Sequence, residues 1–566
     1  MGVKKMAYKP LPIGIENFED MITNGYYYVD KTLFIKELID KKSKVNLFTR
    51  PRRFGKSLTL STVQYFFEKP KDSVYLFEGL NIMSAGEQYT AEMNKYPVIN
   101  ITLKNVECQK YGDSFKMLRY ELIREFGRHS YLLNSDKLND NKKAFYNNIL
   151  NASAEEEDYS FSLMFLSECL ELHYSQKVII LVDEYDVPLE RAYFNGYYNE
   201  MINFIRMLFN TAFKSNNSLH FTVITGCLRV SKESIFTGFN NPKIISITSD
   251  AYGEYFGFTE DEVTKAFHFY RLEQNLDETR RWYNGYIFGK TIVYNPWSII
   301  MFLFDLYENE EWFPRPYWIN TSSNSIIHEL IVLADIDMKI EIEALIRGES
   351  ITKPIHEDVV YSEIKQNMDN LWNFLFFTGY LKKTGESYSE NKIYFKLEIP
   401  NIEVLTIYER KIREWFEDKI KEADMGKMYT AIMESDAQTF EDELSLLLAD
   451  TISYFDNQEN FYHGFLTGAL SRMKGYIVKS NRESGNGRGD IFILPVSMKK
   501  TAVIIKVKAA DTFTGLEKEC AEALKLIEEK KYEYELRQTG YGKILRYGIA
   551  FFRKDCMVRN QPGSLF

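Results

Sequence analysis

Apolar runs of five to eight residues recur along the first half of the chain and predict buried strands. These runs cover residues 45–49, 96–103, 178–182 and 219–225. Helix-like patterns lie between them at about 33–40, 58–67 and 114–173, the last interrupted by an acidic turn at 155–158. Strands rich in Val, Ile and Leu are typical of parallel sheets buried on both faces. The alternation predicts an α/β fold with a three-layer parallel sheet, and we assign residues 1–290 to this domain.

The second half of the chain predicts two further regions. Asn295 followed by Pro296 is typical of a helix start, and a helix ending at Gly379 precedes a hairpin-like stretch at 393–400. Because helices followed by a hairpin is the order of a winged helix, we assign residues 291–455 to a helical, winged-helix-like region. Residues 456–566 alternate helices with strand-like runs at 476–480, 490–494, 501–508 and 547–552. They predict a C-terminal α/β domain.

A loop with phosphate-binding residues joins the first strand to the helix that follows it. Residues 50–57 read Arg-Pro-Arg-Arg-Phe-Gly-Lys-Ser. In a P-loop, backbone amides face the β- and γ-phosphates, the lysine supplies a positive charge and the serine hydroxyl ligates Mg²⁺. Gly55, Lys56 and Ser57 fit these roles, and we count Arg53 with the nucleotide-binding residues. The tripeptide Gly-Lys-Ser alone also fits a plain helix start, and the usual pattern has Gly where this chain has Arg50.

Acidic and polar residues follow two of the other predicted strands. Asp183 and Glu184 come directly after the run at 178–182, where open α/β sheets bind their ligands. In a Walker B arrangement, Asp183 holds Mg²⁺ through water and Glu184 polarises the attacking water. Thr225 and Arg229 follow the run at 219–225 and are candidate sensors of the γ-phosphate. Helix capping by the acids, and pairing of Arg229 with a surface acid, are the alternatives.

Composition and charge place limits on the class of protein. The 566 residues are 45% hydrophobic and 27% charged, and no apolar run approaches the roughly 18 residues that cross a bilayer. The N-terminus lacks the apolar stretch of a secretory signal, and five scattered cysteines form no close pair. We therefore expect a multidomain, soluble, cytoplasmic protein without a membrane partner.

The net charge of −10 is unevenly distributed along the chain. Residues 456–566 carry 19 Lys and Arg against 13 Asp and Glu, whereas the rest is strongly acidic. A cationic face on the C-terminal domain suits a nucleic-acid backbone, although a solvated surface explains the charge equally well.

Several segments together resemble a known family. They read FTRPRRFGKSLTLS, LFEGL, LVDEYDVPL, TGCLRVSKESIFTGFNN and WYNGYIFG, and they span roughly residues 8–300. They resemble the AAA-ATPase-like family found mainly in bacteria, whose members often carry a C-terminal nuclease-like domain of the PD-(D/E)XK superfamily. The resemblance implies a P-loop fold that binds ATP through Gly55, Lys56, Ser57, Asp183 and Glu184. Arg50 is usual in that family.

The C-terminal domain also resembles the PD-(D/E)XK superfamily, with one departure. Asp490 as a metal ligand and Lys508 beside it would form the core of a Mg²⁺-dependent phosphodiesterase. The motif needs Asp or Glu two residues before that lysine, but the chain has Lys506, and a lysine does not ligate Mg²⁺. Glu483 is an alternative acid. We expect weak or no cleavage of nucleic acid. The domain is then either a nuclease or a module that binds nucleic acid without cutting it, and we favour DNA over RNA as its partner.

Two function classes follow from these residues. The first is an ATPase, with Mg²⁺, that drives or gates nucleic-acid processing by the C-terminal domain. The second is a nucleotide-switched binding or signalling protein whose nuclease-like module does no chemistry, and a structural protein with both motifs vestigial is a weaker third. The winged-helix-like region either reads DNA or packs against the nucleotide domain, and we favour packing. Assembly into a homo-oligomer is left open.

Overall fold

The computed structural model describes residues 9–70, 72–229, 242–309, 311–320, 336–357, 368–422, 424–449, 459–481, 490–497, 500–530 and 532–562. The chain divides into two compact units. The first comprises Met1–Asn324 with Ser350–Ile407, and the second Ser325–Glu349 with Tyr408–Phe566. The domain limits predicted at residues 290 and 455 stay predictions.

Helices form most of the described chain outside the sheets. In the first unit they are Phe18–Thr23, Leu33–Lys41, Lys56–Phe67, Val74–Phe77, Glu87–Thr90, Tyr111–Arg128, Asp140–Leu150, Glu156–Tyr174, Val187–Asn195, Tyr198–Phe209, Glu260–Tyr270, Leu276–Tyr283, Pro296–Glu308 and Met368–Phe377. In the second unit they are Ile336–Ile346, Gly426–Glu434, Ala437–Ala449, Glu459–Leu470, Leu516–Glu529 and Tyr532–Gln538. The division between the two units falls within helix Ile402–Glu422, after Ile407. None of the described helices is long and apolar enough to cross a membrane.

A five-stranded parallel sheet forms the core of the first unit. Its strands are β1 Val45–Thr49, β2 Val98–Thr102, β3 Val178–Asp183, β4 Leu219–Gly226 and β5 Lys243–Ile245, in the order β2-β3-β4-β1-β5. All residues of β1 and β3 are buried, as expected for strands covered on both faces. The predicted α/β fold with a parallel sheet is confirmed.

The register of this sheet brings the ends of its strands together. Thr49 at the end of β1 lies opposite Gly226 of β4, and Asp183 of β3 lies opposite Thr102 of β2. Gly226 is required for close packing, because a Cβ there would lie 2.6 Å from the ring of Tyr185. The carboxyl edge of the sheet therefore carries the residues that follow each strand.

The predicted helical region between β2 and β3 is present, with one correction. The acidic residues at 155–158 do not form a turn that breaks a helix. Glu155 caps helix Glu156–Tyr174, in a capping box with Asp158. Negative side chains are favoured in the first turn because they face the positive end of the helix dipole.

The rest of the first unit contains short strands and a small sheet. Strands β6 Tyr286–Phe288 and β7 Thr291–Val293 form a hairpin. Helix Pro296–Glu308 follows, and the Asn295 side chain accepts a hydrogen bond from the amide of Trp297, as its helix-start sequence predicts. Strands β8 Ile351–Pro354, β9 Lys382–Ser389 and β10 Lys392–Glu398 form an antiparallel sheet in the order β8-β10-β9. The helix before Gly379 is found, whereas the stretch predicted as hairpin-like at 393–400 contains only the second strand of a hairpin whose first strand is β9. The winged-helix role stays a prediction.

The second unit is built around a mixed sheet. Its strands, in sheet order, are β11 Tyr476–Asn481, β12 Asp490–Pro495, β13 Ala502–Ala509, β14 Ile544–Phe552 and β15 Asp555–Pro562. Only β13 and β14 run parallel among these described pairs. Helix Leu516–Glu529 packs so closely on β14 that a Cβ on Gly548 would lie 2.5 Å from the carbonyl oxygen of Cys520. This mixed α/β fold agrees with the nuclease-like architecture predicted for the C-terminal domain.

Candidate functional site

The loop after β1 encloses the ammonium group of its lysine. Gly55 adopts φ = 81°, a left-handed conformation that glycine tolerates without a steric cost, and the helix begins at the next residue. Lys56 Nζ donates hydrogen bonds to the carbonyl oxygens of Arg50 at 3.1 Å and Pro51 at 3.0 Å. Because the Lys56 side chain is only 4% exposed, its charge is held within the loop at the helix N-terminus.

Ser57 connects this loop to the acid at the end of β3. Its hydroxyl donates a hydrogen bond of 2.6 Å to Oδ2 of Asp183, and the Thr225 hydroxyl donates to Oδ1 of the same carboxylate at 2.5 Å. Hydroxyl and carboxylate oxygens are the donors that Mg²⁺ prefers. The donor set of Ser57 and Asp183 therefore fits the ion that the sequence predicts.

Glu184 is held in an unusual environment beside Asp183. Its φ of 52° is uncommon for a residue other than glycine, and such strain is concentrated at functional sites. Burial raises the pKa of Glu184, and the negative charges of Asp183 and Asp186 act in the same direction, against the positive charge of Lys56. A carboxylate with a raised pKa is a stronger base than a solvated one.

A cavity of about 450 Å³ lies against the loop. Lys56, Ser57 and Glu184 line it, together with residues of the N-terminal segment such as Tyr27. The sequence interpretation missed this segment, although its aromatic run at 26–28 is a visible signal. Apolar and aromatic walls next to a phosphate-binding loop suit the nucleoside part of a nucleotide.

The two remaining candidate nucleotide contacts lie in different places. The guanidinium of Arg53 lies 4.4 Å from the ring centre of Trp297, and both residues line the cavity. Arg229 instead forms an ion pair of 3.6 Å with Glu357. Pairing with an acid was the alternative considered for Arg229, and the described cavity lining does not include it. Val230 and the residues that follow it to 241 lie outside the described part of the chain.

Two charged groups around the loop were not identified from the sequence. Asp186 is buried and accepts hydrogen bonds from the amides of Cys227 at 2.8 Å and Leu228 at 2.9 Å, which ties the end of β3 to the turn after β4. Arg52 forms an ion pair of 2.9 Å with Glu190. The sequence spacing of these partners does not reveal that they meet in space.

The burial of Arg50 is a third feature that the sequence does not reveal, although an arginine at this position is usual in the family that the chain resembles. Its side chain is fully buried, and one guanidinium nitrogen donates to the carbonyl oxygens of Thr49 and Ile245, each at 2.9 Å. The guanidinium lies 5.2 Å from the ring centre of Phe256 and 5.0 Å from that of Phe288. Burial lowers the pKa of Arg50 to about 9, and the aromatic faces partly offset the cost of the buried charge.

In the second unit, the predicted metal ligand is paired with the residue that breaks the motif. Asp490 of β12 and Lys506 of β13 are cross-strand partners, and Lys506 Nζ lies 3.1 Å from Oδ1 of Asp490. The other carboxylate oxygen accepts a hydrogen bond of 2.7 Å from the hydroxyl of Tyr532. Burial opposes ionisation, but the hydrogen bond from Tyr532 and the charge of Lys506 hold the pKa of Asp490 below its usual range.

The described residues of this second site do not fit a divalent metal ion. Lys506 is 2% exposed and places a positive charge between Asp490 and Glu459, whose Oε1 lies 3.8 Å from the ammonium. A hard cation needs several oxygen ligands, which an ammonium group displaces by charge and by its hydrogens. Among the residues described, no group of three or more His, Cys, Asp or Glu is arranged to hold a metal. Glu483, the alternative acid, lies outside them.

The sequence interpretation also missed part of this site. Glu459 begins helix Glu459–Leu470, and Lys530 lies 3.6 Å from Oδ2 of Asp490. Lys508 is half-buried on β13, two residues beyond Lys506 and therefore on the same face of the strand. Their separation along the chain hid Glu459 and Lys530 from motif reasoning.

These geometries agree with comparisons to known protein families. Residues 12–236 match the AAA-ATPase-like family, described as "Predicted AAA-ATPase", and residues 457–561 match the PD-(D/E)XK nuclease superfamily. The chain contains a segment similar to each family. The AAA-ATPase-like domain contains the loop and Asp183, and the nuclease-like domain contains Asp490 and Lys506. Both resemblances predicted from the sequence are confirmed. Together, the two domains support a nucleotide-binding protein with a nuclease-like domain, and the families generally use nucleotide and divalent metal ions.

The chain is also similar to one curated protein. That protein is the "Uncharacterized protein in vnfD 5'region" of Azotobacter chroococcum mcd 1, with 30% identity over 329 residues. The match covers 58% of this chain and 57% of the relative's length. The likeness carries no activity, because the relative is itself uncharacterised.

Proposed function

We propose that the protein binds and hydrolyses ATP in the first unit. We also propose that its nuclease-like domain binds nucleic acid without cutting it and prefers DNA to RNA. The observation that carries the ATPase part is the 2.6 Å hydrogen bond from Ser57 to Asp183 beside the enclosed Lys56. It brings the loop and the acid of β3 into one site, as a Mg²⁺-nucleotide requires.

Each loop residue has a distinct role in this proposal. The Lys56 ammonium exchanges its loop carbonyl partners for β- and γ-phosphate oxygens, and the amides from Gly55 onward face the same phosphates. Ser57 and Asp183 would hold Mg²⁺, which would supply positive charge against the phosphates. Arg53 and Arg229 are assigned to nucleotide contacts, with Arg229 leaving Glu357 to sense the γ-phosphate.

Glu184 is the proposed base in the hydrolysis step. It accepts a proton as the oxygen of a water molecule forms a bond to the γ-phosphorus. The bond from that phosphorus to the β–γ bridging oxygen breaks, and the products are ADP and inorganic phosphate. The place of Glu184 in the cavity lining, directly after Asp183 and together with Lys56 and Ser57, supports this role.

The proposed loss of cleavage rests on Lys506. A PD-(D/E)XK site acts through metal held by two carboxylates beside a lysine, and Asp490 and Lys508 stand at the positions of the first carboxylate and the lysine. Lys506 stands in place of the second carboxylate and forms an ion pair with the first. Within residues 456–566, Lys and Arg outnumber Asp and Glu, and this positive charge still supports attraction to a phosphate backbone.

A second candidate function is a nucleotide-switched binding or signalling protein. The filled position at Asp490 favours it, because a domain that does no chemistry can still change its interactions with the state of the nucleotide. In this case ATP binding controls assembly, and nucleic acid is not needed for turnover. Cytoplasmic location and homo-oligomeric assembly stay predictions under both functions.

ATP turnover with and without nucleic acid separates these functions. We expect phosphate release that requires Mg²⁺, is lost in Lys56→Ala and is stimulated by DNA more than by RNA. Turnover indifferent to either nucleic acid favours the switched binding protein. Absence of both ATP binding and turnover contradicts the proposed ATPase.

A further inference from the structure

Arg52 adds a positive charge to the cavity, which Lys56 and Arg53 also line. It belongs to the loop after β1 and lines the cavity together with Lys56, Ser57 and Glu184. Its guanidinium lies 2.9 Å from Oε2 of Glu190, and the two side chains are 17% and 11% exposed. A cation from the loop therefore lines the same cavity as the proposed catalytic base.

The surroundings of Arg52 are acidic. Burial opposes its charge, but Glu190 and, more weakly, Asp186 and Glu184 raise the pKa of Arg52 above its usual range, so the guanidinium stays charged. Glu190 lies on helix Val187–Asn195, which begins three residues after Glu184. The ion pair thus connects the phosphate loop to the helix that follows the acids of β3.

Hydrolysis of a phosphoanhydride creates a need for such a charge. As the water oxygen binds the γ-phosphorus and the β–γ bridging oxygen leaves, negative charge spreads over the phosphoryl and bridging oxygens. A guanidinium presents several donors in one plane and stabilises this charge better than a point charge does. Many phosphate-hydrolysing enzymes receive this arginine from another subunit or another protein.

We propose that Arg52 is a catalytic arginine supplied by the phosphate loop of the same chain, and that Glu190 binds it when no γ-phosphate is present. This inference rests on the proposed ATP hydrolysis. With ATP bound, Arg52 exchanges Glu190 for γ-phosphate oxygens. With ADP bound, the ion pair forms again, so that helix Val187–Asn195 responds to the presence of the γ-phosphate.

Nucleotide affinity tests the contact without requiring turnover. In a Glu184→Gln background, which prevents hydrolysis, adding Arg52→Ala should weaken ATP binding about tenfold and leave ADP binding within about twofold, since only ATP has the γ-phosphate. Arg124→Ala, at an exposed surface arginine, should change neither affinity. Equal weakening of both nucleotides, or no change in either, overturns the proposed contact.

Failure of the proposed function gives a different result. If the Glu184→Gln protein itself binds no ATP, the ATP site is wrong and the role of Arg52 falls with it. If that protein binds ATP and Arg52→Ala has no selective effect, only the role of Arg52 is wrong.

Turnover then separates catalysis from a structural ion pair. Arg52→Ala should slow hydrolysis by at least about 100-fold, and the double variant Arg52→Ala/Glu190→Gln should be equally slow. The double variant removes the carboxylate that the single variant leaves without its cation, so a structural role predicts recovery. Recovery to within about threefold of the wild-type rate overturns the catalytic assignment.

A mixing experiment tests whether the arginine comes from the same chain. Arg52→Ala protein retains the proposed ATP site, and Lys56→Ala protein retains Arg52. If Arg52 acts within its own chain, the mixture should be no faster than the sum of the two variants. Restored turnover in the mixture shows that one chain supplies the arginine to another and overturns the same-chain assignment.

Discussion

Two carboxylates at strand ends, Asp183 and Asp490, differ in the charge of their neighbouring side chains. Asp183 accepts hydrogen bonds from the hydroxyls of Ser57 and Thr225, which are neutral groups that leave room for a cation. Asp490 faces the ammonium of Lys506, a cation that belongs to the chain itself. Under the proposed function, the fold brings each carboxylate to its strand end, and the charge of the neighbouring side chain determines whether a metal ion binds beside it.

The comparison also separates two uses of burial. At the phosphate loop, Lys56 is held by carbonyl oxygens, which it can exchange for phosphate without leaving a buried charge unpaired. In the nuclease-like domain, removal of either Asp490 or Lys506 leaves the remaining residue as a buried charge that has lost its nearest opposite charge. The first arrangement suits ligand exchange, and the second suits a closed site.

The largest expected effect comes from Lys56→Ala. Removing the ammonium leaves the charge of the β- and γ-phosphates without its partner, so ATP binding should become undetectable. Equilibrium binding of ATP with Mg²⁺ measures this, with Lys290→Ala as a control because that lysine is 89% exposed. Equal ATP affinity in wild type and Lys56→Ala would contradict the claim that the loop after β1 binds the phosphates of ATP through Lys56.

Lys506→Met tests the buried ion pair between Asp490 and Lys506 through its effect on stability. The substitution keeps most of the side-chain volume but removes the nearer of the two lysines that face buried Asp490 and leaves Lys530 at 3.6 Å, so the free energy of unfolding should fall by about 3 kcal/mol. Adding Asp490→Asn should recover most of this loss, since a neutral amide then replaces the buried carboxylate. Thermal melting of the full chain measures both variants, and a double variant no more stable than Lys506→Met contradicts the ion-pair account.

Glu184→Gln separates ATP binding from ATP hydrolysis at the site that contains Asp183. The amide cannot take a proton from water, so turnover should fall by about 100- to 1,000-fold while ATP affinity stays within a few-fold. Single-turnover phosphate release and ATP binding are the measurements, with Glu87→Gln on an exposed helix as the matched control. Hydrolysis at the wild-type rate means that another group is the base.

A third buried acid, Glu403, sharpens the comparison because its described hydrogen-bond partners are neutral. It accepts from the Ser298 hydroxyl at 2.8 Å and from the Trp318 amide at 2.9 Å. Burial raises the pKa of Glu403 from 4.5 to about 7, against the effect of these hydrogen bonds. Where Asp490 is kept charged by lysines, Glu403 is kept protonated at mildly acidic pH.

This raised pKa predicts a pH dependence of stability. Above pH 4.5 the unfolded chain releases the proton that the folded chain keeps, so the free energy of unfolding falls as pH rises to about 7, by about 3 kcal/mol in total, and then levels off. Glu403→Gln should remove this contribution. Melting temperatures of both proteins from pH 4.5 to 8 measure it, and identical slopes contradict the assignment.

Much of the fold could be predicted because local patterns decide it. The fully buried strands β1 and β3 and the Gly55-Lys56-Ser57 sequence have clear signals, and so does the replacement at Lys506. Contacts distant in sequence have no such signal, since Arg52 meets Glu190 and Lys506 meets Glu459 only after the chain has folded. The acidic stretch at 155–158 was misread because charged residues at a helix start resemble those of a turn.

Cleavage of nucleic acid by wild type and Lys506→Glu tests the central claim most directly. Both proteins are incubated with DNA or RNA, with Mg²⁺ or with a chelator, and Asp490→Ala/Lys506→Glu is the control that lacks the first carboxylate. The wild type should leave both nucleic acids intact, and Lys506→Glu should gain Mg²⁺-dependent cleavage that the control loses, because two carboxylates then face the metal position beside Lys508. Strong Mg²⁺-dependent cleavage by the wild type that is lost in Asp490→Ala contradicts the claim that Lys506 closes this site.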